Sequence, residues 1–461
     1  MAKLAAALHP LPPTWSINSS SSYCEWHGVT CHSSGYVSKI NLTSKSLHGH
    51  LPSKFPPFPL LRVLDFSNNS FTGSFPSLEK IPLLEELFLD DNNFTRIPLG
   101  FFQELSSHLQ VLILANNPSL APWRIPISFT RFKSLTQFFA HETNLMGSIP
   151  DIFHSVPLMY LSLFNNNLTG NLPASLGGSK VIHFWLQNQK IGLTGPIDVL
   201  SNMTHLTQVI LNGNRFSGPI PDLSNCKSLL LLLLHYNHLA GVIPQSLASL
   251  PNLKYVYMND NQLQGPMPSF LLAKIMDGSL INNNFCTDNG DPCDPQVTTL
   301  LEISSDLSYP YRLSLTWQGN DACNDWKYVT CDSEKNVTHI DLGNQQFKGT
   351  ISPAFANLTR LQYLYLNDNN LTGSIPVSLT KLPNLRVLDV SNNNLSGDIP
   401  AFGPGVLLNT TGNPGLIPNN EPGADGTMPK GMAVDLLSKF DEYEHALKLV
   451  PFLFCDFCPS C

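Results

Sequence analysis

Charge is what this 461-residue chain has least of: Asp, Glu, Lys and Arg together make up 13%, against roughly 25% in an ordinary globular domain. The difference is filled by Asn, Ser, Thr, Gly and Pro, the residues of turns between short strands. No run of Lys or Arg occurs and the net charge is −8, which argues against nucleic acid as a partner. The same balance argues, more weakly, against acidic polysaccharide. No stretch reaches the ~18 apolar residues of a membrane-spanning helix. Residues 1–9 hold only a short Leu/Ala run, below the ~7–15 apolar residues at the centre of a signal peptide. The expectation is that either the ends of a longer protein are missing or the gene model is incomplete. A Gly-rich phosphate loop, a His-Arg-Asp loop and an Asp-Phe-Gly motif are all missing from the sequence, which excludes phosphoryl transfer by this chain. No nucleophile–base or carboxylate pair stands out either, so neither an enzyme nor a cofactor is expected.

What is present is a repeat. The pattern L-x-x-L-x-L-x-x-N starts at Val37, Leu61, Leu84, Leu109, Leu135, Leu158, Val181, Leu206, Leu229 and Leu253, and again at Val337, Leu361 and Leu385. Apart from the degenerate first copy, neighbouring starts within each set lie 23 to 26 residues apart, the period of a leucine-rich repeat. A solenoid also explains how 461 residues fold when a single core rarely serves more than ~250–300. In the copy at Leu361, Leu361, Leu364 and Leu366 point inward and Asn369 closes the turn. Stacked copies place Asn69, Asn92, Asn117, Asn166, Asn214, Asn237, Asn261, Asn369 and Asn393 in a ladder that pairs buried turn amides. Many copies continue L-x-G-x-I-P, as in 145–150, 371–376 and 395–400. This half-repeat resembles the plant-type leucine-rich repeat, which implies a second small sheet and a superhelical twist. The fold class is therefore an α/β leucine-rich-repeat solenoid broken by one non-repeat, disulfide-stapled island.

Cys24 and Cys31 lie in Cys-Glu-Trp-His-Gly-Val-Thr-Cys ahead of the first copy, and Cys323 and Cys331 lie in a matching Trp/Cys segment in mid-chain. The first segment resembles the N-terminal cap of plant leucine-rich-repeat receptors, which implies a Cys24–Cys31 bridge with Trp26 over the first coil. Cys286 and Cys293 are expected to staple the island's first half. The spacings lack the Cys-x2-Cys knuckle and nearby His of zinc sites, so no metal is expected. Cys226 reads as a small buried hydrophobe. Asn-x-Ser/Thr sites begin at Asn18, Asn41, Asn68, Asn93, Asn167, Asn202, Asn336, Asn357, Asn370, Asn394 and Asn409. Together with paired cysteines they point to an extracellular, oxidising environment.

The layout reads as a cap over 4–36, ten copies over 37–270, an island with a second cap-like segment over 271–336, three copies over 337–402, and a linker and tail over 403–461. It resembles the ectodomain of the plant transmembrane kinase (TMK) family of leucine-rich-repeat receptor-like kinases. The stretches that carry the resemblance include Leu193-Thr194-Gly195-Pro196-Ile197, Leu263-Gln264-Gly265-Pro266-Met267-Pro268 and the island's Trp317-Gln318-Gly319-Asn320-Asp321-Ala322-Cys323. The resemblance implies auxin-related signalling on the outer side of the plasma membrane, with a secreted auxin-binding protein and a co-receptor as partners. Residues 434–461, with Cys455, Cys458 and Cys461, match nothing expected of that family and read as a truncated or mis-spliced tail.

The partner is expected on the concave face, where strand residues between the inward leucines line up. The central column there is Asn41, Asp65, Phe88, Ile113, Phe139, Ser162, Trp185, Ile210, Leu233 and Tyr257, flanked by Tyr160, His183, Leu231 and Tyr255 on one side and by Asp90, His141, Phe164 and His235 on the other. An exposed apolar stripe with aromatic anchors marks an interface for a secreted protein or peptide. The island and last three copies are the competing site. A secreted inhibitor or decoy protein, located in the apoplast, is the alternative function.

Overall fold

The structure, a computed structural model, describes residues 1–16, 22–268 and 279–418. Each copy turns once around an apolar axis. In the copy at Leu84, Leu84, Leu87 and Leu89 are all fully buried, and the strand Glu86–Phe88 between them sends its outer residues to the opposite face. Repetition yields one sheet of eleven strands: β1 (Val29–Cys31), β2 (Val37–Asn41), β3 (Val63–Asp65), β4 (Glu86–Phe88), β5 (Val111–Ile113), β6 (Gln137–Phe139), β7 (Tyr160–Ser162), β8 (His183–Trp185), β9 (Gln208–Ile210), β10 (Leu231–Leu233) and β11 (Tyr255–Tyr257). β1 runs antiparallel to β2, and every later neighbour is parallel. A second array repeats the plan with β12 (Val329–Cys331), antiparallel to β13 (Val337–Asp341), followed by β14 (Tyr363–Tyr365), β15 (Val387–Asp389) and β16 (Leu407–Asn409).

The L-x-G-x-I-P halves form further small parallel sheets beside the main one, as the plant-type resemblance implies. Their glycines sit at positive φ, for example +78° at Gly195, where an added Cβ would lie 2.5 Å from Asn171 Oδ1. That backbone is open to Gly and strained for other residues.

The asparagine ladder holds the coils together. Asn117 Oδ1 accepts from Phe94 N of the preceding coil at 3.1 Å, and Asn117 Nδ2 donates to Leu89 O, Leu114 O and Ala115 O. Two rungs that sequence reading leaves out are filled by other residues: Thr143 Oγ1 donates to Ala140 O, and Gln189 accepts from Leu168 N and donates to Leu163 O. The same ladder moves two boundaries. Asn283 accepts from Leu263 N and donates to Met258 O, so the first array continues past 270 into the segment read as island. Asn413 accepts from Leu395 N and donates to Val390 O, so the second array continues past 402. Both extra coils keep the turn asparagine but lack the full leucine pattern. The tail cysteines and Asn18 lie outside the described residues.

The caps close both arrays. Trp15 and Trp26 pack at 4.7 Å between ring centroids, and Trp317 and Trp326 stack at 5.3 Å. Disulfides join Cys24 to Cys31, Cys286 to Cys293 and Cys323 to Cys331. Cys226 is fully buried, its thiol directed at Leu200 O and Met203 O, and burial raises its pKa. Two separate apolar cores result, one running from Leu4 to Leu280 and one from Cys293 to Leu395. They meet where Val242 of the first array packs against the second core, Gln264 Nε2 donates to Trp317 O at 2.7 Å and His238 lies against Tyr311, while each keeps its own buried leucines. Residues 284–418 expressed alone are therefore expected to melt cooperatively. A featureless melt of that segment in calorimetry would show that its core depends on the first array.

Candidate ligand-binding face

Strand register aligns the expected column: Asn41, Asp65, Phe88, Ile113, Phe139, Ser162, Trp185, Ile210, Leu233 and Tyr257 are successive partners. At ~4.8 Å per strand, the run from Phe88 to Tyr257 extends about 34 Å. Tyr160, His183, Leu231 and Tyr255 form the column on one side. Asp90, His141, Phe164, Gln187 and His235 occupy the equivalent position just beyond the strands on the other.

The stripe is less exposed than the sequence suggests. Tyr255 is exposed at 49%, but Phe88, Phe139, Tyr160, Phe164, Trp185 and Tyr257 are half-buried. The reason is spacing: rings on coils ~4.8 Å apart cover one another. His141 stacks on Phe164 at 4.1 Å and 9°, His183 stacks on Trp185 at 5.3 Å, and Tyr160 meets the His183 ring edge-on. Ser162 is small enough to be fully buried between Phe139 and Trp185, whose rings come within 6.4 Å. Its hydroxyl lies 2.9 Å from His141 Nδ1. The result is a pre-organised aromatic platform on rigid strands.

Four buried polar atoms on this face have no hydrogen-bond partner: Asp90 Oδ1, Trp185 Nε1, Gln187 Oε1 and His235 Nδ1. Unpaired buried groups cost free energy, and a ligand that pairs them recovers it. Gln187 escaped the sequence reading because its position repeats in every copy and only the packing around it leaves it unpaired. Burial lowers the pKa of His141, His183 and His235, so these rings are neutral at pH 7. Burial, opposed by a backbone hydrogen bond and reinforced by Asp91 and Asp65, raises the Asp90 carboxyl to about 7.

That shift has a testable sign. The unfolded carboxyl titrates near ~3.9, so between there and pH 7 the folded protein holds the extra proton and loses stability as pH rises. Asp90→Asn removes this loss. The variant is expected to melt higher than the parent above pH 7, by on the order of 2 kcal/mol after allowance for solvent. The difference should shrink to nothing near pH 4 in melts recorded across the range.

The sequons are not all equivalent. Asn68, Asn93, Asn202, Asn357, Asn370 and Asn394 are exposed, and Asn167 and Asn336 are half-buried. Asn41 and Asn409 lie on concave strands with their amide nitrogens donated to Asp65 and Asp389. No sequon falls in the columns between Phe88 and Tyr257. The second array presents the more polar column Asp341, Tyr365, Asp389 and Asn409, with His339 stacked on Tyr363 beside it. Among the described residues no group of His, Cys, Asp or Glu could hold a metal ion, and no helix is long and apolar enough to cross a membrane.

Comparison with known proteins agrees with this architecture. The family "Leucine rich repeat N-terminal domain" matches residues 2–32 and again 293–332, covering both caps. "Leucine Rich Repeat" matches 60–80 and 157–179, and "Leucine Rich repeats (2 copies)" matches 359–404. The receptor-like kinase TMK4 of Arabidopsis thaliana is 42% identical over 373 residues, covering 80% of this chain and 40% of its own length. The receptor-like kinase TMK2 of the same plant is 38% identical over 358 residues, covering 76% and 40%. The chain belongs to the TMK receptor-like kinase family. It spans about two fifths of the length of these curated TMK relatives, and its described residues form repeat arrays rather than a kinase fold. The receptor protein kinase WSS1 of Oryza sativa subsp. japonica, 41% identical over 373 residues, covers 74% of this TMK-family chain and 38% of itself. Among solved structures, the plant peptide hormone receptor RGFR1 in complex with RGF2 matches with 29% identity and a TM-score of 0.51, covering 82% of this chain and 58% of that one. The GASSHO1/SCHENGEN3 ectodomain from Arabidopsis thaliana, 24% identical with a TM-score of 0.56 and covering 87% and 59%, shares the fold.

Proposed function

We propose that this chain is the extracellular, non-catalytic, partner-binding part of a receptor-like kinase on the outer side of the plasma membrane. Its partner is a secreted peptide or protein that lies on the concave face between Phe88 and Tyr257. The observation that carries the reading is the aromatic platform with unpaired polar atoms at Asp90, Trp185, Gln187 and His235. The RGFR1–RGF2 complex, a peptide hormone receptor with this fold, supports a peptide occupant. The second array and its cap are the competing site for that partner, and a co-receptor is a further partner on this reading. The auxin-related signalling implied by the resemblance to the TMK family, with a secreted auxin-binding protein as a further partner, belongs to the same proposal.

The test is a chimera in which residues 1–418 replace the ectodomain of TMK4 in plants that lack it. The chimera is expected to restore auxin-responsive growth, and the Phe139→Ala/Trp185→Ala version to reach the cell surface without restoring it. A chimera that is displayed at the surface yet inactive would remove the auxin reading. Equal rescue by both versions would move the partner off the concave face.

A further inference from the structure

Beyond β2, whose outward Lys39 pairs in register with Val63, the concave face is charged with one sign only. From β3 to β11, its outward strand positions and the two turn positions after each strand carry Asp65, Glu86, Asp90, Asp91, Glu142 and Asp260, and no Lys or Arg. Arg62 and Lys254 sit one place before their strands, and Arg62 is paired with Glu85. The three histidines on this face, His141, His183 and His235, have lowered pKa values and add no compensating charge at pH 7, while Asp90, raised to about 7 by burial, becomes fully charged only when a cation lies beside it. The carboxylates are also unevenly placed. All but Asp260 lie at or before the coil of β6, followed by the aromatic platform over β6–β8 and then by the aliphatic Ile210, Leu231 and Leu233.

We infer that the occupant of this face is an extended cationic peptide that lies along the sheet in one direction, its Arg, Lys or free amino terminus against Asp90 and Asp91 and its apolar end over Ile210 and Leu233. The inference rests on the reading that the concave face binds a peptide and specifies that peptide's charge and polarity. Complementary charge fixes register and steers encounter. The unpaired atoms set the span: Asp90 to His235 is six strand steps, about 29 Å at ~4.8 Å each, which about nine extended residues at ~3.3 Å cover. Trp185 Nε1 and Gln187 Oε1 are covered in the free protein, so a peptide C=O and N–H pair them in mid-span once the neighbouring side chains shift. The columns from Phe88 to Tyr257 carry no sequon, so they are open to a backbone lying flat.

The experiment is selection of a phage-displayed library of random nonapeptides on the intact chain, followed by titration of enriched peptides. Enriched sequences are expected to carry Arg or Lys at one end and apolar residues at the other, and to bind more weakly as salt rises. Asp90→Asn/Asp91→Asn should weaken them about tenfold or more. Asn is suited to position 91, which has φ near +51°, and a melt at or above that of the parent shows that the variant is folded. Glu86→Lys, at a half-buried outward position of β4, is a second, independent charge change expected to weaken binding. Enriched peptides that need Trp185 but are neutral or acidic, or that ignore all three carboxylates, would overturn this inference and leave peptide binding standing. Enriched peptides indifferent to Phe139→Ala and Trp185→Ala, or no enrichment, would overturn both.

Discussion

Phe139→Ala combined with Trp185→Ala is expected to weaken partner binding by about a hundredfold or more, since buried aromatic anchors each contribute ~2 kcal/mol or more at an interface. The fold should change little. Both rings lie on the outer side of strands whose inward residues, Phe138 and Phe184, are the ones buried in the core. Truncation removes three ring contacts, Phe139–Trp185 and Phe139–His141 at 6.4 Å and His183–Trp185 at 5.3 Å, and uncovers Ser162, a loss on the order of 3 kcal/mol. Titration of an enriched peptide or of the natural partner, with circular dichroism melts in parallel, separates the two effects. Unchanged affinity with an unchanged melt would show that the platform is not the contact surface.

The largest effect on stability is expected at the ladder. Asn117→Ala should cost about 3–5 kcal/mol, because one fully buried side chain serves four backbone groups, Phe94 N, Leu89 O, Leu114 O and Ala115 O, and each group left unpaired costs ~1–3 kcal/mol before relaxation. The damage should be local. In a solenoid each coil contacts only its neighbours, so hydrogen exchange should accelerate first in the coils of β4 and β5 and leave the second array unchanged. A loss below about 1 kcal/mol in urea denaturation would mean that water replaces the amide readily at this rung.

The comparison between Asn117 and its replacements explains what the sequence makes legible. Inward residues such as Leu84, Leu87 and Leu89 recur at fixed offsets, so strand register, the concave column and the ladder follow from spacing alone. Thr143 and Gln189 break the motif but keep a polar atom in reach of the same backbone groups, which only the folded turn reveals. The coils closed by Asn283 and Asn413 were hidden for the same reason: the turn survives where the leucines have drifted. The aromatic cluster was legible as a list of residues and not as a surface. That His141 lies flat on Phe164, or that Trp185 Nε1 and Gln187 Oε1 end up buried and unpaired, depends on rotamers of neighbouring coils that no single copy encodes. The charge asymmetry of the face is visible in the sequence once the columns are known.

The central claim is that the partner lies along the platform from Phe88 to Tyr257. The most direct test is position-specific photo-crosslinking. A benzophenone amino acid is placed at 139 or 185 on the concave face, or at Leu99 or Ile127, which are exposed outside the concave columns, and the chain is incubated with fluid from plant cell walls. The account predicts a crosslinked product at 139 and 185, absent at 99 and 127, and suppressed by excess unlabelled chain but not by its Phe139→Ala/Trp185→Ala variant. Products at 99 or 127 with none on the platform would contradict it.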